Sequence, residues 1–159
     1  MLQIAILNGP NLNLLGEREP EIYGSTNLAS IEQSCRDFAT ILNTNIDFFQ
    51  TNHEGIMVDQ IQKARKESAA IVINPAGFSF HSVPILDALK MFSGPIIEIH
   101  ISNIHARDEA HRNSIMSNVS TGVICGLGAY GYIVAMQTAA KMIGEIPDIM
   151  PNPIRFGPI

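Results

Sequence analysis

The chain has 159 residues, of which 46% are hydrophobic and 16% charged, and its formal net charge is −5. This length predicts one domain with a substantial core, and a negative charge without any basic run argues against nucleic-acid binding. No apolar run reaches the ~18 residues that a membrane span requires, and the chain begins on a strand-like segment rather than a signal peptide. We therefore expect a cytoplasmic protein, and its low charge content indicates a surface partly buried against other subunits.

Short apolar runs alternate along the chain with amphipathic helical patterns. The runs span residues 2–7, 46–49, 69–73, 96–101 and 119–125. Nearly continuous apolar strands separated by helices are typical of a parallel sheet covered on both faces. The sequence therefore predicts an α/β fold, a flavodoxin-like doubly wound five-stranded parallel sheet with helices on both faces.

Four helices are predicted from apolar residues that recur at helical spacing. These are Leu28, Ile31, Cys35, Phe38 and Leu42; then Met57, Ile61 and Ala64; then Val83, Leu86 and Leu89; and finally residues 132–143. Ser25 or Thr26 is placed to cap the first helix.

The remaining features concern domain organisation. Residues 1–144 are expected to form a single flavodoxin-like domain. Residues 145–159 contain four prolines, which predict an extended tail that is either loose or packed on a neighbour. Cys35 and Cys125 are far apart and lack metal-like spacing, so we expect buried free thiols.

The segment after the first strand is polar and punctuated by glycine. Asn8, Asn11 and Asn13 supply neutral donors and acceptors, and Arg18 and Tyr23 follow. A phenol titrates near ~10, so a tyrosinate that acts as a base at neutral pH needs roughly 3–4 kcal/mol of stabilisation, which a guanidinium can supply. The alternative is that Arg18 and Tyr23 are ordinary residues of an exposed loop.

Polar residues also end the other predicted strands, and in a doubly wound sheet ligands bind beyond those ends. They are Asn8 and Gly9, Asn52 and His53, Asn74, and Glu98 and His100 followed by Ser102 and Asn103. Each alone is typical of a turn or a helix cap. Together they predict a binding site at one edge of the sheet.

Acid–base chemistry fits these residues best. Glu98 precedes His100 by two positions, so both share one face of a strand and the carboxylate can orient the imidazole, although a lone strand histidine is often structural. The lysines fall in helical patterns, the histidines lack metal-ligand spacing and no serine occupies a nucleophile elbow. A dinucleotide-like motif at residues 126–131 lacks its second strand and acid, so its glycines are interpreted as packing the last helix.

Several motifs carry a resemblance to one family. They are residues 7–16, 49–55, 73–75, 98–107 and 121–128. In this order, over residues 1–144, they resemble the type II 3-dehydroquinate dehydratases. The resemblance implies trimers assembled into a dodecamer and an elimination that needs no metal or cofactor. It also implies that 3-dehydroquinate loses water by anti elimination through an enolate to give 3-dehydroshikimate, in the shikimate or quinate pathway.

The resemblance also implies catalytic roles. Tyr23 would be the base that takes the C2 proton, with Arg18 and Arg107 favouring its anion. His100, oriented by Glu98, would be the acid that protonates the leaving C1 hydroxyl. Residues 16–24 match the family's mobile lid.

Substrate-binding roles follow in the same way. Asn11 would help to hold a water that stabilises the enolate oxygen. Asn74, with Ile101 and Ser102, would bind the substrate carboxylate and ring. Asp87 would reach the site from a neighbouring subunit.

Two positions depart from the family pattern where it contacts ring hydroxyls. Phe80 stands where the family usually has His, and His111 where it usually has Arg. The expected residue types occur one position later, as His81 and Arg112. In a loop His81 can swing into the role, whereas on a helix Arg112 would point about 100° away from the expected direction. The alternatives are thus a diverged paralogue with weakened or altered specificity for a related cyclic hydroxy acid, or a non-catalytic flavodoxin-like module that binds a nucleotide or flavin.

Overall fold

The computed structural model of the chain describes residues 1–17, 19–23 and 25–144, with Tyr23 described by its backbone alone. The predicted tail at residues 145–159 lies outside the described residues. No helix in the described ranges has the length and apolar character that crossing a membrane demands.

The described strands form one parallel sheet in the order β2-β1-β3-β4-β5. They are β1 (Gln3–Asn8), β2 (Asn45–Gln50), β3 (Ala70–Asn74), β4 (Ile96–His100) and β5 (Gly122–Cys125). The central strands β1, β3 and β4 are buried almost throughout, because helices cover both faces of the sheet. The predicted flavodoxin-like sheet is confirmed. The last strand begins at Gly122, later than predicted, because Ile115–Asn118 form a 3-10 turn first.

Helices α2 (Leu28–Leu42) and α5 (Tyr130–Met142) cover one face, while α3 (Glu54–Glu67) and α4 (Val83–Lys90) cover the other. A short helix α1 (Pro20–Tyr23) precedes α2. Strand β1 shows how the sequence divides between two cores. Its alternate residues Ile4 and Ile6 pack under α2 and α5, whereas Ala5 and Leu7 pack on the opposite face.

Two details of the predicted helices were wrong. The cap of α2 is Asn27, whose Oδ1 accepts from the Ser30 amide at 2.8 Å, and not Ser25 or Thr26. In α4 the predicted Val83 is 55% exposed, because it occupies the first turn at the surface. Ile85 instead joins Leu89 in the core.

The two thiols differ in burial. Cys35 is fully buried and free, and this burial raises the pKa of its thiol to about 12. Cys125 is free but only partly buried, because it lies on the edge strand β5. The prediction of free thiols is confirmed for both residues, and full burial for Cys35 alone.

Candidate active site

A cavity of about 180 Å³ opens at the carboxyl ends of β1, β3 and β4. It lies beside β1, where the strand order reverses and doubly wound sheets bind their ligands. The predicted site residues that line it are Asn11, Asn74, His100, Ile101, Ser102, Arg107 and His111. Residues far apart in the chain therefore meet in one cavity.

The loops after β1 and β3 approach each other closely at one wall of this cavity. The Gly9 amide donates to the backbone oxygen of Asn74 at 2.8 Å, and a Cβ added to Gly9 would lie 2.2 Å from the backbone oxygen of Pro75. Asn11 then adopts a left-handed backbone with φ of 67°, and its amide donates to Asn52 Oδ1 at 2.9 Å. This contact holds the loop that presents Asn11 to the cavity.

Glu98 and His100 form a buried pair at the end of β4. Glu98 Oε1 lies 2.6 Å from His100 Nε2, and the two side chains are 0% and 5% exposed. They share one face of the strand because they are two residues apart. With Nε2 facing Glu98, the imidazole has Nδ1 to offer a ligand.

Two serines that the sequence analysis missed support this carboxylate. Ser114 donates to Glu98 Oε1, and Ser117 donates to Oε2 at 2.6 Å. Burial raises the pKa of Glu98, but the hydrogen bonds from His100, Ser114 and Ser117 outweigh it and hold the pKa below its ordinary value. Their spacing of three residues could have identified them, since a 3-10 turn places i and i+3 on one side.

Asn74 is held by a second buried network. Its Nδ2 donates to Tyr132 Oη at 3.0 Å, and the Tyr132 hydroxyl donates to Asn8 Oδ1 at 2.6 Å. Burial raises the pKa of Tyr132 above its ordinary value, so this phenol stays neutral and can donate. Asn8 is therefore fully buried behind the cavity. It is not part of the exposed loop that follows β1.

The glycine-rich loop after β5 supports the end of β4. The Gly126 amide donates to the backbone oxygen of His100 at 3.2 Å, and the Gly128 amide donates to that of Ile101 at 3.0 Å. Gly126 has φ of +86°, and a Cβ there would lie 3.1 Å from Asn103 Cβ. Amide groups that would bind a phosphate in a dinucleotide site here bond to the end of β4. The predicted packing of the last helix involves Gly131 of α5, which is buried and whose ideal Cβ lies 3.7 Å from Ile124 Cγ2 on β5.

The two residues that depart from the family pattern contact each other at the cavity wall. The rings of Phe80 and His111 meet edge to face, with centroids 5.4 Å apart. Asp108 Oδ1 lies 2.6 Å from His111 Nδ1, and this hydrogen bond is the main reason that the pKa of Asp108 lies below its ordinary value. His111 thus reaches the cavity with one ring nitrogen already engaged.

Other predicted site residues lie outside the described cavity. His81 is exposed, and exposed Arg112 donates from Nη2 to the backbone oxygen of Arg107 at 2.8 Å. Asp87, on α4, is 62% exposed and lies 3.5 Å from Lys90 Nζ. Phe80 and His111 thus line the cavity, whereas His81 and Arg112 do not.

The predicted base and its cation are not among the side chains that the structure describes. Arg18 and the side chain of Tyr23 lie outside the described residues, and Tyr23 is described by its backbone at the end of α1. Within the described ranges, no group of three or more His, Cys, Asp or Glu side chains is arranged to hold a metal ion. The arrangement can bind an anion beside Arg107 and move a proton at His100.

Comparisons with known proteins show the family and the fold. The family model described as "Dehydroquinase class II" matches residues 2–140. A 3-dehydroquinate dehydratase of Dinoroseobacter shibae is 50% identical over 136 residues, covering 86% of this chain and 91% of that protein. A catabolic 3-dehydroquinase of Verticillium alfalfae is 50% identical over 139 residues, covering 87% and 93%. The crystal structure of a type II dehydroquinase from Propionibacterium acnes superposes with a TM-score of 0.86 at 40% identity, covering 89% of this chain and 97% of that one.

Proposed function

Because the chain belongs to the class II dehydroquinase family, we propose that it removes water from 3-dehydroquinate to give 3-dehydroshikimate. The observation that best supports this assignment is that His100 lines the cavity and is paired with buried Glu98, with 2.6 Å between Glu98 Oε1 and His100 Nε2. Hydroxide is a poor leaving group, so an elimination of water needs a proton at the departing oxygen. His100 lines the cavity and its ring is oriented by the buried carboxylate of Glu98, so it is placed to supply that proton.

His100 is assigned as the general acid and Glu98 as the group that orients it. The hydrogen bonds from Ser114 and Ser117 favour the ionised form of Glu98, and Glu98 Oε1 holds the His100 ring at Nε2. Removal of the C2 proton is assigned to Tyr23, with Arg18 and Arg107 favouring its anion. For Tyr23 and Arg18 this assignment rests on the family resemblance.

The substrate carboxylate and ring are assigned to other residues that line the cavity. Asn74 and Ser102 supply polar side chains there, and Ile101 supplies its backbone. Half-buried Arg107 adds a permanent positive charge, which favours both an anionic substrate and the developing enolate. Asn11 is assigned to hold a water at the enolate oxygen.

Recognition of the ring hydroxyls is the weak part of this site. Phe80 has no donor, and His111 offers a single ring nitrogen because Asp108 holds the other. We therefore propose that the chain binds 3-dehydroquinate less tightly than a protein with His and Arg at these positions. A related cyclic hydroxy acid that lacks one of these hydroxyls is the second candidate substrate.

The proposed assembly is a trimer that forms a dodecamer. Asp87 is exposed and lies outside the described cavity, so a role at the site requires that it come from a neighbouring subunit. Light scattering of the purified chain should give a mass that is a multiple of three protomers. An active monomer would remove Asp87 from the site.

The function is tested by the ultraviolet absorbance of the conjugated enone that forms when the protein meets 3-dehydroquinate. We expect wild-type turnover and a kcat reduced about 10²–10⁴-fold in His100→Gln. His105→Gln is the matched control, because His105 is exposed and lies outside the cavity. Wild-type protein without turnover, or equal loss in both variants, contradicts the proposal.

A further inference from the structure

Tyr132, on α5, joins two strand ends that flank the cavity. Its side chain is 1% exposed, and its hydroxyl lies between the amide side chains of Asn8 and Asn74. Asn8 ends β1 and Asn74 ends β3, and the two are register partners across the sheet. Asn74 lines the cavity, whereas Tyr132 and Asn8 lie behind it.

The direction of each hydrogen bond in this network is determined from one end. The backbone oxygen of Phe49 on β2 can only accept, so Asn8 must present Nδ2 to it, at 3.0 Å. Asn8 Oδ1 then faces Tyr132, and the single phenolic proton is donated to it. The phenolic oxygen can therefore only accept from its next partner, which makes that partner Asn74 Nδ2.

The other end of the network requires the same orientation. The Ala76 amide donates to Asn74 Oδ1 at 3.3 Å, and a backbone amide can only donate. Ala76 itself lines the cavity with φ of 48°, a left-handed backbone that is unusual for alanine. The Phe49 carbonyl on β2 and the Ala76 amide after β3 are thus compatible with the same orientation of the Asn74 side chain. The Tyr132 hydroxyl connects the two ends of the network.

We propose that Tyr132 is a positioning residue, which fixes the amide orientation of Asn74 and thereby the donor that Asn74 presents to the substrate. The inference rests on the proposed function in that Asn74 is taken to bind the anionic substrate. An amide turned by 180° would present its oxygen in place of its nitrogen, and an oxygen repels a carboxylate. The phenyl ring packs in the core, so Tyr132→Phe keeps the packing and removes only the hydroxyl.

The test is a double-mutant cycle on 3-dehydroquinate turnover. Tyr132→Phe should raise KM about tenfold and change kcat by less than about twofold, because one hydrogen bond that orients a binding group is lost. In an Asn74→Ala background the same substitution should change KM by less than about twofold. An equal rise in KM in both backgrounds, or an unchanged KM in Tyr132→Phe alone, overturns the proposal.

A purely structural role is distinguished by two further variants. Ile31→Val removes one methylene from the same core, so it should lower stability and leave KM unchanged. Asn8 lies outside the cavity, and Asn8→Ala removes the acceptor of the Tyr132 proton, so this variant should raise KM about threefold. It replaces Tyr132→Phe as the test if that variant does not fold. An unchanged KM in Asn8→Ala also overturns the proposal.

Calorimetry with quinate, a carboxylate of the same ring class, compares ligand binding by the wild type and the variants without any turnover. The Kd of quinate should rise in Tyr132→Phe, and the double variant should bind quinate with the same Kd as Asn74→Ala alone. Wild-type protein that binds quinate without converting 3-dehydroquinate contradicts the proposed function alone. An unchanged Kd in Tyr132→Phe contradicts the role of Tyr132 alone.

Discussion

Phe80 and His111 pack edge to face at the wall of the cavity, with ring centroids 5.4 Å apart and an interplanar angle of 80°. They are the two predicted ring-hydroxyl contacts at which the sequence analysis expects other residue types, and they are 31 positions apart. Because the two rings are in contact, we expect substitutions of Phe80 and His111 to have coupled effects on substrate binding.

The first prediction concerns this pair. Phe80→His combined with His111→Arg restores donors for ring hydroxyls, so KM for 3-dehydroquinate should fall by about one to three orders of magnitude, and kcat should change far less. Steady-state kinetics of both single variants and the double variant measure this effect and the coupling between the two sites.

His81→Ala is the control for the first prediction. His81 is exposed outside the cavity, so its removal should change KM by no more than about twofold. A large rise in KM would mean that His81 reaches the substrate and that Phe80 needs no replacement. A double variant that binds 3-dehydroquinate but stays inactive would favour a different substrate.

The second prediction concerns the base. Tyr23→Phe removes the proposed basic oxygen, so kcat should fall by at least about 10²-fold while quinate binding persists. Arg18→Ala should lower kcat and move the pH optimum upward, because the tyrosinate loses a cation that favours it. A pH–rate profile of Arg18→Ala that coincides with that of the wild type would argue against this role.

The third prediction is a dependence of stability on pH. The pKa of Glu98 in the folded protein lies below its ordinary value of 4.5, so the unfolded chain binds this proton at higher pH than the folded one does. The stabilisation by ionised Glu98 is therefore complete above pH 4.5 and is lost as the pH falls through the depressed folded value.

Urea unfolding between about pH 3 and pH 7, at one fixed protein concentration, tests this prediction. The free energy of unfolding should fall less steeply with acidification in Glu98→Gln than in the wild type. Glu109→Gln, at an exposed carboxylate, should keep the wild-type slope. A parallel pH dependence in Glu98→Gln would show that Glu98 is not held ionised.

The fourth prediction compares two glycines. A Cβ on Gly9 would lie 2.2 Å from the backbone oxygen of Pro75, so Gly9→Ala should lower the free energy of unfolding by roughly 1–3 kcal/mol. Gly55, exposed in α3, has nothing within 4 Å of its ideal Cβ. Gly55→Ala should therefore raise stability by about 0.5–1 kcal/mol. Equal stability of Gly9→Ala and the wild type would mean that the two loops can separate.

Local patterns in the sequence were sufficient for the architecture. Apolar runs and helical spacing depend on residues a few positions apart, and they predicted the strands and helices within a few residues of their observed bounds. The pairing of Glu98 with His100 was also predictable, because residues two apart share a face of any strand. The family motifs added the reaction, which periodicity cannot specify.

Contacts between distant segments were decided only by the tertiary structure. Tyr132 and Asn8 are 124 positions apart, and their hydrogen bond exists because α5 packs across the end of β1. The contact of Phe80 with His111 likewise depends on how two separate turns meet. Sheet register and turn geometry determine which side chains touch, and neither follows from local hydrophobic spacing. The sequence alone therefore determined the fold and the pairing of Glu98 with His100, whereas long-range packing determined which other residues surround them.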